Sequence, residues 1–259
     1  MKKLKKPAGA APRIEVSPGT GKFFKRLVLG ICLFVVAGCM AVVWLALFTG
    51  VCSVRNVTVT GNKNLTSEYV KQLSGIASYK NLVTLPVGKI AQNLESDPWV
   101  RKAHVGRHLL HTVNIKVDER QPVALLDFGG TGFLVDGQGY IITGIATDQF
   151  PEIPRIHGGD ATAPKVGERI TDANTLECVK VIAGMPASIQ STLLLGNPFD
   201  GRGQVYVSRQ GFNIIYGHEA GAKQKNDVLQ AILIDISNNH RQVAYVDVRV
   251  PDSPVIMPR

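Results

Sequence analysis

The sequence predicts an α+β protein: an N-terminal transmembrane helix, a β-α-α-β-β unit, then a mostly antiparallel β unit with two or so helices. Three observations predict it. From Leu27 to Phe48 no side chain is charged. Between Val54 and Gln121, one alternating strand precedes two helix-period stretches and two further alternating strands. Beyond Pro122, short alternating runs are punctuated by glycine, the texture of a β-rich unit. The expected boundaries are a basic tail over 1–26, the helix over 27–49, the first unit over 52–121, the β unit over 122–250 and a Pro-rich C-terminal tail over 251–259.

The chain has 259 residues, 45% of them hydrophobic, with a formal net charge of +9. That composition excludes disorder throughout. The charge is unevenly placed, because Met1 to Arg26 holds eight Lys/Arg and one acid, Glu15. The remaining body is close to neutral, whereas a nucleic-acid-binding domain needs its cations on the folded surface with aromatics interleaved.

A helix of 22 residues rises ~33 Å, the thickness of a bilayer's hydrocarbon core. Trp44 suits an interface at the far end, while Lys22, Lys25 and Arg26 crowd the near end. By the positive-inside rule the N-terminus is cytoplasmic and everything after about Gly50 is exported. A cleaved signal peptide has a shorter apolar run and a small-x-small site, which is missing before Cys52. Ala37-Gly38-Cys39 resembles a lipoprotein site, but the chain stays apolar to Phe48 where a mature lipoprotein turns polar. Cys32 and Cys39 lie in the span, Cys52 at its mouth and Cys178 in the body, so no exported disulfide pair is evident.

Val57 and Val59 alternate with polar residues in a first strand that Gly61-Asn62 ends. Ser67 is the expected cap of a short helix carrying Val70 and Leu73, with Gly75 as its stop. A second helix reads Thr84 as cap, Pro86 in the first turn, and Val87, Ile90, Ala91 and Leu94 on one side, closed by Asp97-Pro98. Trp99, Ala103 and Val105 share a face of the next strand. Val113, Ile115 and Val117 share a face of the third, with His108 to His111 between the two.

In the β unit, Val123–Leu126, Phe133–Val135 and Tyr140–Ile142 read as strands, the last two joined by Asp136-Gly137-Gln138-Gly139. Phe150 to Gly159 reads as an irregular crossing. A helix follows over about Asp172 to Ala183, then a hairpin of Val205–Ser208 and Phe212–Tyr216, then a helix carrying Leu229, Ile232, Leu233 and Ile236. The last strand, Val243 to Val250, places Ala244, Val246, Val248 and Val250 inward and Tyr245, Asp247 and Arg249 outward. Three prolines in the final nine residues argue against the tail joining a ladder.

No catalytic constellation converges. His104, His108 and His111 fit a solvated hairpin tip better than a metal site. Gly129-Gly130-Thr131-Gly132 lacks the Lys-Ser/Thr of a phosphate loop and precedes a strand. Asp118 and Glu119 are adjacent, so on a strand they point to opposite faces. His157, His218 and Asp136 likewise lack partners suggested by spacing. The expectation is therefore no enzyme, no metal and no cofactor, with a membrane-anchored envelope hydrolase kept as the enzymatic alternative.

The stretch Thr112-Val113-Asn114-Ile115-Lys116-Val117-Asp118-Glu119-Arg120-Gln121-Pro122-Val123-Ala124 resembles the signature T-L-x-I-x-V-x-E-R-x-P-V-A of the FtsQ/DivIB family of bacterial cell division proteins. Leu134-Val135-Asp136 with Gly139, and Val246-Asp247-Val248-Arg249, are similar to two further family stretches, the second written V-D-L-R. Two positions depart: Leu110 where the family usually has Pro, and Val250 where it often has an aromatic. The resemblance implies that 52–121 is a POTRA domain and that the protein is a non-enzymatic scaffold of the cytoplasmic (inner) membrane at the division septum. It also implies that the POTRA unit and tail help recruit it to the divisome. The β domain would bind the coiled-coil division proteins FtsB and FtsL, which regulate septal peptidoglycan synthesis. Another POTRA-bearing assembly or secretion component is the second alternative, though such proteins carry a transmembrane barrel that the remaining length cannot supply.

On the residues alone, a final strand ending in prolines is a plausible sheet edge open to another chain's strand, or simply an ordinary closing strand. The partner-binding candidates are Tyr245, Asp247, Arg249 and Val250. The alternative for Arg249 is a local pair with Asp247, two residues away on the same face.

Overall fold

The structure is a computed structural model and describes residues 20–48, 52–108, 111–146, 149–158, 163–198 and 200–259. The tail through residue 19, and Leu110, lie outside the described residues. Helix α1 (Thr20–Phe48) begins within the expected basic tail, and its Phe24–Leu45 stretch is long and apolar enough to cross a membrane. The side chains of that stretch are exposed.

Next come β1 (Asn56–Thr60), α2 (Ser67–Ser74), a 3₁₀ turn (Ile76–Ser78), α3 (Val87–Glu95), β2 (Val100–His108) and β3 (Thr112–Glu119). The order is β-α-α-β-β as expected. Central β3 pairs parallel with β1 and antiparallel with β2. The registers Val57↔Val113 and Val59↔Ile115 align the apolar positions on one face. There Val113, Ile115 and Val117 pack with Val70, Ile90 and Leu94 of the two helices. Gly61 turns the chain with φ +85°, and a Cβ at that position would collide with the Val117 carbonyl.

Both helix starts differ from expectation. Thr66, not Ser67, caps α2: its backbone is extended and its Oγ1 accepts a hydrogen bond from the Tyr69 N–H at 3.2 Å. Gly75 ends α2 in the left-handed conformation as expected. Thr84 caps nothing, because Pro86 occupies the cap position of α3 and the Thr84 hydroxyl turns back toward the Asn81 carbonyl. In β2 a bulge over Val100–Lys102 lets Val100 and Ala103, three residues apart, both face the core. Trp99 precedes the strand and packs instead with Leu125, Leu134 and Ile142.

The remaining strands form one nine-stranded sheet: β4 (Pro122–Phe128), β5 (Thr131–Asp136), β6 (Ile141–Ala146), β7 (Arg155–His157), β8 (Leu193–Asn197), β9 (Gln204–Ser208), β10 (Asn213–Gly217), β11 (Val243–Asp247) and β12 (Val255–Pro258). Its order is β12-β11-β10-β9-β8-β7-β4-β5-β6. Only β4·β7, β7·β8 and β10·β11 are parallel, so the sheet is mostly antiparallel. Helices α4 (Ala173–Gly184), α5 (Ala187–Gln190) and α6 (Ala222–Asn238) supply Val179, Ile182, Ile189, Leu229, Ile232 and Ile236 to a core shared with Ile156, Tyr206, Ile214 and Val246.

Three expectations fail here. The irregular crossing contains β7, which joins β4 to β8 although it is only three residues long. The last strand stops at Asp247 rather than Val250, and Val250 is 59% exposed rather than inward. The Pro-rich tail does join the ladder. Pro251 and Pro254 lie in the connection and Pro258 ends the strand, positions where a missing N–H removes no interior bond, so β12 pairs antiparallel with β11. Strand β11 is thereby an interior strand, and β12 is the edge.

Candidate partner interface at the C-terminal strands

Cross-strand pairing decides which side chains meet at this end of the sheet. Val243, Val246 and Val248 are buried, with an irregularity between Val243 and Tyr245 that breaks strict alternation and leaves Ala244 half-exposed. Tyr245 pairs with Met257 and Asp247 with Val255, and residues directly opposite in an antiparallel ladder share a face. The outward face therefore carries Tyr245, Asp247, Val255 and Met257, with Val255 and Met257 each nearly half exposed. Beyond them, β12 has a strand on one side only.

Past Asp247 the chain bends, and Arg249 folds back on it. The Arg249 N–H donates to Asp247 Oδ1 at 3.0 Å, its Nε lies 3.1 Å from both carboxylate oxygens, and an Nη donates at 2.7 Å. The arginine stem runs over Gly217, where a Cβ would sit 3.0 Å from Arg249 Cγ and where φ is +77°. Burial opposes ionisation of Asp247, but the hydrogen bonds from the Arg249 side chain and backbone outweigh it and hold the carboxyl below its usual range. A second pair stands nearby: Arg202 grips Asp200 through Nε at 2.8 Å and Nη at 2.9 Å, lowering the Asp200 pKa to about 2. Each pair feels the other's field, Arg202 acting on Asp247 and Arg249 on Asp200.

Of the four sequence candidates, Tyr245, Asp247 and Arg249 meet on this surface, while Val250 is exposed beyond the bend. Sequence reasoning missed Asp200 and Arg202, which lie in the loop before β9, and the apolar pair Val255 and Met257. The local Arg249–Asp247 pair is present. It leaves the arginine side chain 46% exposed over an Asp247 side chain that is 16% exposed.

The Glu119-Arg120 dipeptide has structural work at the start of the β unit. Glu119 is buried and accepts backbone N–H groups of Lys63, Asn64 and Leu65 at 2.8–3.0 Å, plus the Asn64 side-chain amide. Arg120 donates to Asp136 at 2.6 Å and stacks 4.1 Å over the Tyr140 ring. The other Asp136 oxygen accepts from the Gln138 and Tyr140 N–H groups across the expected hairpin turn. Burial raises the pKa of Glu119, but these four hydrogen bonds prevail and the net shift is downward. A depressed carboxyl stabilises the fold above its unfolded pKa and loses that contribution as pH falls through the folded value. Glu119→Gln should therefore lower stability at neutral pH by ~1–3 kcal/mol and flatten the acid limb of the stability curve. Denaturant melts between pH 7 and pH 3 check this; an unchanged acid limb contradicts it.

The histidines do not converge: His104, His108 and His157 are exposed, and His111 Nδ1 lies 3.0 Å from the Ser53 carbonyl. His218 contacts Glu177 at 3.3 Å. Among the described residues no group of three or more His, Cys, Asp or Glu is arranged to hold a metal. Burial pushes the Cys178 thiol up to about 12, which makes it an inert core residue.

A family model described as POTRA domain, FtsQ-type, matches residues 52–120. "Cell division protein FtsQ" of Rickettsia typhi is 30% identical over 89 residues, 34% of each chain. "Cell division protein DivIB" of Clostridium acetobutylicum is 24% identical over 134 residues, 51% of this chain and 54% of its own. Residues 52–120 thus match an FtsQ-type POTRA domain, and the relatives that the chain resembles are named FtsQ and DivIB. The chain spans about a third to a half of the length of these relatives. The major extracytoplasmic domain of DivIB from Geobacillus stearothermophilus aligns with a TM-score of 0.32 at 18% identity, over 47% of this chain and 98% of that domain. The matched POTRA segment contains β1 through β3 and ends on the Glu119-Arg120 dipeptide, so the family signature coincides with the hydrogen-bonded junction.

Proposed function

We propose that this protein is a non-enzymatic cell division scaffold, anchored in the cytoplasmic membrane by α1 with residues 1–26 inside and the body outside. The observation that carries the reading is an FtsQ-type POTRA segment beginning at Cys52, directly after a helix able to span a bilayer. In this reading 52–121 and 122–250 are separate units. The first recruits the protein to the septum, and the second binds FtsB/FtsL-like coiled-coil partners that regulate septal peptidoglycan synthesis.

The docking surface is the outward face of β11 and β12 with Tyr245, Asp247, Arg249 and Val250, extended by Val255 and Met257. Two features support it. An edge strand offers a free row of N–H and C=O groups to an added strand. The exposed apolar side chains lie beside two Arg–Asp pairs whose arginine side chains stay 49% and 46% exposed, so a polar or acidic partner group can still hydrogen-bond to them.

The topology has its own test. Protease added to the outer face of intact cells or spheroplasts should digest the body while the unprotected chain retains its full-length mass. A mature product beginning at Cys39 and carrying lipid contradicts the uncleaved anchor.

A further inference from the structure

Charge is sorted along the strand axis of the POTRA-type unit. The parallel pairing of β1 with β3 puts the start of both strands at one end, together with the close of β2. Lys80 joins that end through the hydrogen bond from the Val54 N–H to its carbonyl, and the start of α3 joins it through the Arg107 side chain, which donates to the Leu85 carbonyl at 2.7 Å. This end displays Arg55, Lys80, Lys89 and Arg107, all exposed, with His108 and His111 beside them. Among the described residues none of these four cations is in an ion pair. Four of the unit's five acids lie toward the opposite end, Glu95 and Asp97 at the close of α3 and Asp118 and Glu119 at the close of β3, while Glu68 on α2 is paired with Lys71. At that opposite end Arg101 and Lys102 are neutralised by Asp118 and Glu95.

The unpaired cationic end is the one tied to α1. Three residues, 49–51, separate Phe48 from Cys52, and four peptide units reach at most ~14 Å. The tether thus keeps Cys52, and the strand starts beside it, near the bilayer surface, where a Debye length near 10 Å lets cations still be attracted by anionic headgroups. We propose that this end of the unit is a lipid-contacting surface that seats on anionic phospholipid headgroups, orienting the body relative to the membrane. The proposal rests on α1 spanning the bilayer, as proposed above. It commits to lipid phosphate rather than a protein partner because the short tether fixes the cations next to the membrane whatever else is bound.

The test uses the full chain in nanodiscs of phosphatidylcholine alone and of phosphatidylcholine with a third phosphatidylglycerol, read by amide hydrogen exchange. Exchange over Ser78–Asn81 and Gly106–Thr112 should slow about threefold or more in the anionic discs, while 61–66 at the opposite end stays unchanged. High salt should abolish the slowing in the wild-type chain, and Lys80→Glu with Lys89→Glu should abolish it at low salt. Equal exchange in the two disc types, or a slowing that survives salt, overturns the proposal even if the doubly substituted chain misfolds. A chain that fails to co-elute with discs at all overturns the anchor reading and this inference together, whereas co-elution without lipid dependence overturns only this inference.

Discussion

Ile115→Asp should abolish the folded POTRA-type unit while leaving the nine-stranded sheet intact. Ile115 is fully buried on the central strand of a three-stranded sheet, opposite Val59 on one side and Val105 on the other, with the helices carrying Ile90 and Leu94 above it. A carboxylate placed there has no cation within the cluster and costs several kcal/mol to bury. A unit of about 70 residues has only ~5 kcal/mol of stability to lose. Ile115→Val, which removes one methylene, should cost only ~1 kcal/mol and keep the fold. Hydrogen exchange of the full chain reads both outcomes: protection of β1–β3 should vanish in the Asp variant and persist in the Val variant, with β9–β11 protected in both. In cells the Asp variant should lose septal recruitment. A variant that localises normally with β1–β3 unfolded would sink the role given to this unit.

The parts of the fold legible in the sequence are those where periodicity runs long enough to be counted. Strand β3 alternates along its eight residues, and α6 repeats its apolar positions from Leu229 to Ile236. Strands β7, β8 and β12 and helix α5 have three to five residues each, too few for any period. In β12 the prolines also carried the wrong weight. They mark the connection and the strand end rather than excluding a ladder, and only the pairing with β11 distinguishes the two. The cap errors have a different origin: Thr66 and Ser67 are both good caps, and the choice depends on which one leaves the helix in an extended conformation.

The candidate surface was half legible for the same reason. Arg249 and Asp247 are two residues apart, so their pairing follows from alternation. Asp200 and Arg202 arrive from a loop before β9 and meet them only because β9, β10 and β11 are neighbours in the sheet. The four hydrogen bonds that satisfy Glu119 come from residues 54 to 56 positions away, so its spacing suggested no role at all.

The measurement that tests the central claim is the affinity of the full chain for the proposed FtsB-like partner, with and without Arg249→Glu. In the free protein Arg249 is half exposed and, among the described residues, ion-paired with Asp247, so its reversal leaves the core in place and should lower the melting temperature by only about 2–4 °C. In the complex the reversal places two carboxylates, at 247 and 249, against an acidic partner segment and leaves that segment's charge unpaired. A loss of about 2 kcal/mol, roughly 30-fold in affinity, is expected. Unchanged affinity in the folded Arg249→Glu variant would remove the β11–β12 face from the docking site and contradict the account.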